Sequence, residues 1–407
     1  MTPPAPLPRS TAPAWFPRVA IAVCFLFSLA TLFRWNAYRH VSFLHLWQVF
    51  DWQDIHVYFE SSRWIVGGGT LYRAVPSEYP LLANLIFAVV RLVSQVVSVL
   101  ADPYDRFAWV WVSLMLPLWF FVLHRLWTRF PRPALLLWLT PASLYFALYR
   151  FDALAVLLSL LCVEAIYQDR LRRAALMLGL VTALKGYSLF LLPAFAVYVW
   201  RRRGFAEAAV TSVVNLAPFA LANLVTLLFG GVEGLMFAYR FHAARWLNGE
   251  STWDAIAYLT GPAIRDWLPR FTKLPMILAA ACALIAAGFR PREPRDLMRA
   301  FLFATTGFIS FSVFYSPQFV LWLVPFVADF ASPLASWLVV AASWLTFAYF
   351  PVAFFKRLHH RRLFELTVAA VAALRLMILL VAAFVTSDAR PRRAATPERS
   401  PAPSPAA

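Results

Sequence analysis

The chain has 407 residues, of which 61% are hydrophobic and only 14% charged, and its mean hydropathy is +0.66. A water-soluble domain of this length needs far more polar surface, so the composition excludes that class. The net charge of +17 could suit a nucleic-acid-binding protein. The arginines, however, stand in short clusters between apolar runs, as in the cytoplasmic loops of membrane proteins, and nucleic-acid binding is set aside.

Residues 1–17 are proline-rich and read as a disordered N-terminal segment. Val19–Phe33 is apolar and is followed by "RWNAYRH" rather than by a small-residue cleavage site, so an uncleaved first membrane helix is expected over about 18–34. With the N-terminus in the cytoplasm, residues 35–105 form a first extracytoplasmic loop containing "FDWQDIHVYFESSRWIVGGG" (50–69). Three arginine clusters should then be cytoplasmic: Arg125, Arg129 and Arg132; Arg170, Arg172 and Arg173; Arg201, Arg202 and Arg203. The first of these stays inside only if one of the apolar stretches 79–100 and 106–123 does not cross. Stretch 79–100 carries Arg91, Ser94, Gln95 and Ser98 at helical spacing, so a helix lying in the outer interface is expected there.

Helices 106–127 and 134–149 return the chain outside at "YRFD" (149–152), and helix 153–167 leads in again. Segments 172–185 and 187–200 form a hairpin between two arginine clusters. Fourteen residues rise about 21 Å against a hydrocarbon core of about 30 Å, so the turn "LKGYS" should sit at membrane depth on the outer side. A helix over 207–229 precedes a second external loop, 230–271. Helices near 272–289, 299–315, 317–329, 333–350 and 364–385 complete the set. The expectation is an all-α polytopic membrane protein, one domain over 18–386 with about 12 crossings and extracytoplasmic interfacial helices, and a disordered cytoplasmic tail at 387–407. "FFKRLHHRR" (354–362) falls outside in this count, against the charge rule. Cys24, Cys162 and Cys282 all lie in apolar runs and form no disulfide or zinc pattern.

The outer face collects the unusual polar residues. Asp51, Asp54, Tyr58, Glu78 and Tyr79 come from the first loop, Arg150 and Asp152 from "YRFD", and Lys185 from the hairpin turn. His242, Arg245, Glu250 and Asp254 come from the second loop, and Gln318 from "YSPQF". Ionisable residues at membrane depth usually mark a site or polar cavity. Each has a plainer reading. Asp51 and Asp54 read as solvated loop acids or as a general base. Lys185 reads as a snorkelling cation or a phosphate partner. Arg150 and Asp152 read as a local ion bridge, and His242 as an interfacial histidine. Gly67–Gly69 lacks the spacing of a dinucleotide fingerprint. Glu164 and Asp329 stand near cytoplasmic helix ends and should point to water.

"DIHVYFESSRWIVGGGTLYRAVPSEYPLL" resembles the first-loop signature of polyprenol-phosphate-mannose-dependent mannosyltransferases, glycosyltransferase family 87. "YRFDALAVLLSLL", "LVTALKGYSLFLLP", "RFHAARWLNGEST" and "FSVFYSPQFVLWLVP" are similar to that family's later blocks, in the same order, and the set spans about 50–330. Related blocks occur in the catalytic subunit of GPI mannosyltransferase I. That enzyme's Asp-x-Asp is Asp54-Ile55-His56 in this chain, Tyr-Pro-Pro-Leu is Tyr79-Pro80-Leu81-Leu82, and the Gln or Asn that commonly precedes Phe-Asp is Arg150.

The resemblance implies a C-type integral-membrane glycosyltransferase fold and a polyprenyl-phosphate sugar donor. It also implies a lipid or glycan acceptor and a first-loop base that maps onto Asp54, with Asp51 as fallback. A lipid-phosphate leaving group needs cations rather than a general acid, and the acceptor hydroxyl needs a base. Lys185, Arg150, Arg245 and Lys356/Arg357 are the cations this chemistry would call on, with Asp152, Tyr58, Tyr79, His242, Glu250 and Gln318 as further substrate contacts. Direct displacement inverts the anomeric centre. No cofactor is implied, and the need for a divalent metal stays open. A different polyprenyl-linked sugar such as arabinofuranose, a transporter or lipid flippase, and a non-catalytic membrane subunit are the competing readings. Against transport stands the absence of a visible internal repeat.

Overall fold

A computed structural model describes Trp15, Arg18, Val19, Ala22 and residues 53–384, apart from 74, 99, 131–132, 246, 248, 262, 268–272, 329–331 and 355–359. Asp51, Cys24, Asp329, Lys356, Arg357, most of the expected first helix and the C-terminal tail lie outside the described residues.

The described chain is all-α; its only β pairing is an isolated bridge between Leu71 and Val75. The main helices are α1 (Gln53–Ser61), α2 (Leu81–Val96), α3 (Pro103–Arg129), α4 (Pro141–Tyr149), α5 (Asp152–Tyr167), α6 (Leu171–Lys185) and α7 (Leu192–Arg203). They continue as α8 (Phe205–Ala244), α9 (Thr252–Thr260), α10 (Leu274–Gly288), α11 (Pro294–Phe311), α12 (Pro333–Phe347) and α13 (Arg361–Phe384). Sequence sets many of the ends. Asp102 caps α3 by accepting from the Tyr104 and Asp105 amides ahead of Pro103, and Thr140, Ser251 and Ser332 cap α4, α9 and α12 in the same way.

Among the described residues four helices are long and apolar enough to cross a membrane: 103–129, 205–244, 333–350 and 361–384. The pair α4 and α5 makes a fifth if counted as one span bent by 109°. That is fewer than the expected 12. The other apolar runs form short helices of about two to five turns, because prolines, glycines and charged ends interrupt them. The outward sides of α8 and α13 carry Leu221, Leu224, Leu228, Leu366 and Leu380, all exposed, as in a membrane-embedded protein.

Two expected elements differ. The second external loop was expected from residue 230, yet α8 runs on to Ala244 across a break at Gly231 (φ 70°, ψ −175°), a backbone geometry that glycine alone adopts freely. The polar stripe expected on 79–100 is split. Ser94 is buried and Arg91 half-buried, Gln95 faces outward, and Ser98 lies beyond the helix end, since the backbone turns extended at Val97. The turn at Gly186 falls where expected, although the second helix begins only at Leu192. α6 ends at Lys185, Gly186 takes a left-handed conformation (φ 76°) with its amide bonded to Thr182 O at 2.9 Å, and a 3₁₀ turn over Tyr187–Leu191 leads into α7.

α6 packs between α5 and α8, α10 against α11, and α13 against α11 and α12. The core is one cluster running through these helices. Glu164 does not point to water: it is buried and accepts from Arg125 at 3.0 Å, a pairing that a carboxylate in an apolar bundle requires.

Candidate functional site

A cavity of about 740 Å³ opens where the first loop, the α4–α5 bend, the α6–α7 turn, the end of α8 and the 312–322 segment meet. Nine of the candidate base and substrate-contact residues line it: Asp54, Tyr58, Tyr79, Arg150, Lys185, His242, Arg245, Glu250 and Gln318. Asp152 lies directly behind the wall, and Asp51 falls outside the described residues. Its lining is charged at Asp54, Arg150, Lys185 and Arg245 and apolar at Leu189, Phe219, Leu235, Met276 and Phe308.

The α4–α5 bend organises the charged lining. Arg150 caps α4 in an extended conformation with its amide bonded to Phe146 O, and Asp152 begins α5. Arg150 and Asp152 face different partners. Arg150 pairs with Asp54, and Asp152 pairs with Lys185 at 3.1 Å. The local Arg150–Asp152 bridge therefore does not form. Phe151 is fully buried between the two pairs, with the Lys185 ammonium 4.0 Å from its ring centroid. Asp152 is fully buried, sits at a helix N-terminus and accepts from the Trp322 indole N–H at 2.7 Å. Lys185 is 12% exposed and turned into the protein, so it does not snorkel.

Asp54 stands in the first turn of α1 with its side chain 32% exposed to the cavity. Burial raises its carboxyl above the ordinary range; Arg150 and Lys185 pull it back down, and Glu78 and Asp152 push it up. Tyr58, one helical turn on, is 1% exposed and stacks on Phe87 at 4.4 Å. Burial pushes the Tyr58 and Tyr79 phenols well above their usual range, so both act as neutral hydroxyls.

Glu78, not chosen from sequence among the site residues, ties the far rim together. Its carboxylate pairs with Arg245, and its carbonyl accepts from His242 Nε2 at 2.9 Å. Arg245 also lies over the Phe314 ring at 4.1 Å. Gln318 is buried and accepts from Ser316 Oγ at 2.6 Å, and Glu250 is buried at the wall. Behind it Arg375, in the middle of α13, is 1% exposed, donates to Thr252 Oγ1 at 3.2 Å and lies 3.8 Å from the Tyr315 ring centroid. A lone arginine inside a long apolar run was the signal that could have found it.

The site thus offers a carboxylate held next to a guanidinium, a buried ammonium–carboxylate pair, neutral phenols and apolar lining residues. Among the described residues no group of three or more His, Cys, Asp or Glu could hold a metal ion. No family model, curated protein or solved structure matches the chain.

Proposed function

We propose that the protein is an integral-membrane glycosyltransferase that moves a sugar, mannose in the first instance, from a polyprenyl-phosphate donor to a lipid or glycan acceptor on the extracytoplasmic face. The observation that carries the reading is the facing of Asp54 against Arg150 and Lys185 in one cavity whose lining is otherwise largely apolar and aromatic. The sequence blocks that resemble family 87 supply the class of donor.

In this reaction Asp54 takes the proton of the acceptor hydroxyl as its oxygen attacks the anomeric carbon. The bond from that carbon to the phosphate oxygen breaks, and the electron pair leaves on the polyprenyl phosphate. Arg150 and Lys185 stabilise the charge that gathers on the phosphate, the kind of preorganised contribution that dominates many transfer reactions. The anomeric centre inverts.

The test is incubation of the purified protein with radiolabelled polyprenyl-phosphate sugars and membrane lipid extracts. Label moving into a new lipid or glycan product, and failing to do so with Asp54→Asn, is the expected result. Intact donor recovered from the opposite side of a vesicle, with no product, would assign transport instead.

A further inference from the structure

A second cluster of cations stands outside the cavity. Arg91 interrupts the apolar helix α2, and its guanidinium lies 3.9 Å above the ring centroid of Phe59 on α1. Its Nε and Nη1 are buried without a hydrogen-bond partner. Arg106, on α3, also has a buried Nε without a partner. Its neighbours Tyr104 and Phe107 pack against the same Phe59 ring at 5.5 and 5.6 Å. The fields of Arg106 and Arg63 reach Arg91, so the three cations form one cluster beside the Phe59 ring.

Of the acids nearby, Asp102 caps α3 and Asp105 stands in its first turn. Glu60 is the acid whose field reaches Arg91, and it is already bonded to Arg63 at 2.8 Å. Among the described residues neither Arg91 nor Arg106 makes an ion pair. A buried guanidinium nitrogen without an acceptor is costly, and a planar fork with free N–H groups matches the oxygens of a phosphate. The next turns of α2 present Val89, Leu92, Val93 and Val96, from 40% to 82% exposed. The ligand that satisfies both features has an anionic head and an apolar body.

We propose that Arg91 and Arg106, with Arg63 at the rim, bind the phosphodiester of an anionic membrane lipid whose chains lie along the exposed face of α2. The site is separate from the cavity and does not depend on the transferase reading. It would fasten α1, which carries Asp54, to the surrounding lipid.

Native mass spectrometry of the purified full-length protein with phosphatidylglycerol or phosphatidylcholine tests this. Selective retention of phosphatidylglycerol is expected, with a roughly tenfold loss in the Arg91→Gln/Arg106→Gln variant, the scale of one charge-assisted contact. Arg91→Lys should keep part of the binding, and Arg240→Gln, whose arginine pairs with Glu233 elsewhere on the surface, all of it. If the double variant does not fold, Arg106→Gln alone, which leaves the Phe59 contact intact, must show a loss. Equal retention of both lipids, or unchanged retention in the arginine variants, would overturn the proposal. Release of the lipid by millimolar inorganic phosphate would assign the cluster to free phosphate and overturn the lipid.

Discussion

The Asp54 carboxylate is held by the Arg150 guanidinium across the cavity. The residue best suited to act as a base and the one best suited to hold an anion are thus each other's partner. A phosphate that engages Arg150 competes for this pair and leaves Asp54 free to accept a proton. In the proposed reaction, donor binding and activation of the base are a single event.

Asp54→Asn should lower kcat about 10²–10⁴-fold, the usual contribution of a positioned base, with little change in donor KM. The protein should remain folded, because the amide fills the same volume. Steady-state kinetics with purified variants checks this, and turnover within tenfold of wild type would remove Asp54 from the role.

Arg150→Lys should raise donor KM and lower kcat, since a point-like ammonium does not reproduce the planar fork that faces Asp54. The acceptor KM should move less. Titrating each substrate separately reads the split, and a change confined to the acceptor would contradict a phosphate role.

Lys185→Met should destabilise the fold by about 3–5 kcal/mol, because it leaves the fully buried Asp152 without its cation. The Lys185→Met/Asp152→Asn pair should recover much of that loss while transfer stays impaired. Unfolding midpoints in detergent report the first effect, and radiolabel transfer reports the second. Normal stability of Lys185→Met would show that the ion pair does not hold the turn.

The acidic limb of the pH–rate profile should lie above the ordinary aspartate value of 3.8, because burial raises the Asp54 carboxyl and outweighs Arg150 and Lys185. A base must be ionised, so activity is present above that pKa and is lost as pH falls through it. Arg150→Gln removes the larger lowering influence and should move the limb further up. A downward move would mean that another group titrates.

Much of the architecture was legible in the chain. Apolar runs between arginine clusters require helices in lipid, because the backbone there has no water to bond to. The turn at "LKGYS" followed from the lengths of the apolar runs between two arginine clusters. The gathering of first-loop acids, "YRFD", Lys185, the second-loop cations and Gln318 followed from assigning them to one face. The number of full-length spans did not follow, because hydropathy does not distinguish one long helix from short ones broken at Pro or Gly. Local spacing suggested an Arg150–Asp152 bridge, whereas the bend between α4 and α5 turns the two side chains toward Asp54 and Lys185. Glu78 and Arg375 gain their importance only from partners far along the chain. Composition and periodicity determine that this chain is helical and belongs in a membrane, since burial of the backbone and of apolar side chains is a local demand. Which charge meets which is decided by tertiary packing, because ion pairing depends on distances that only the folded chain defines.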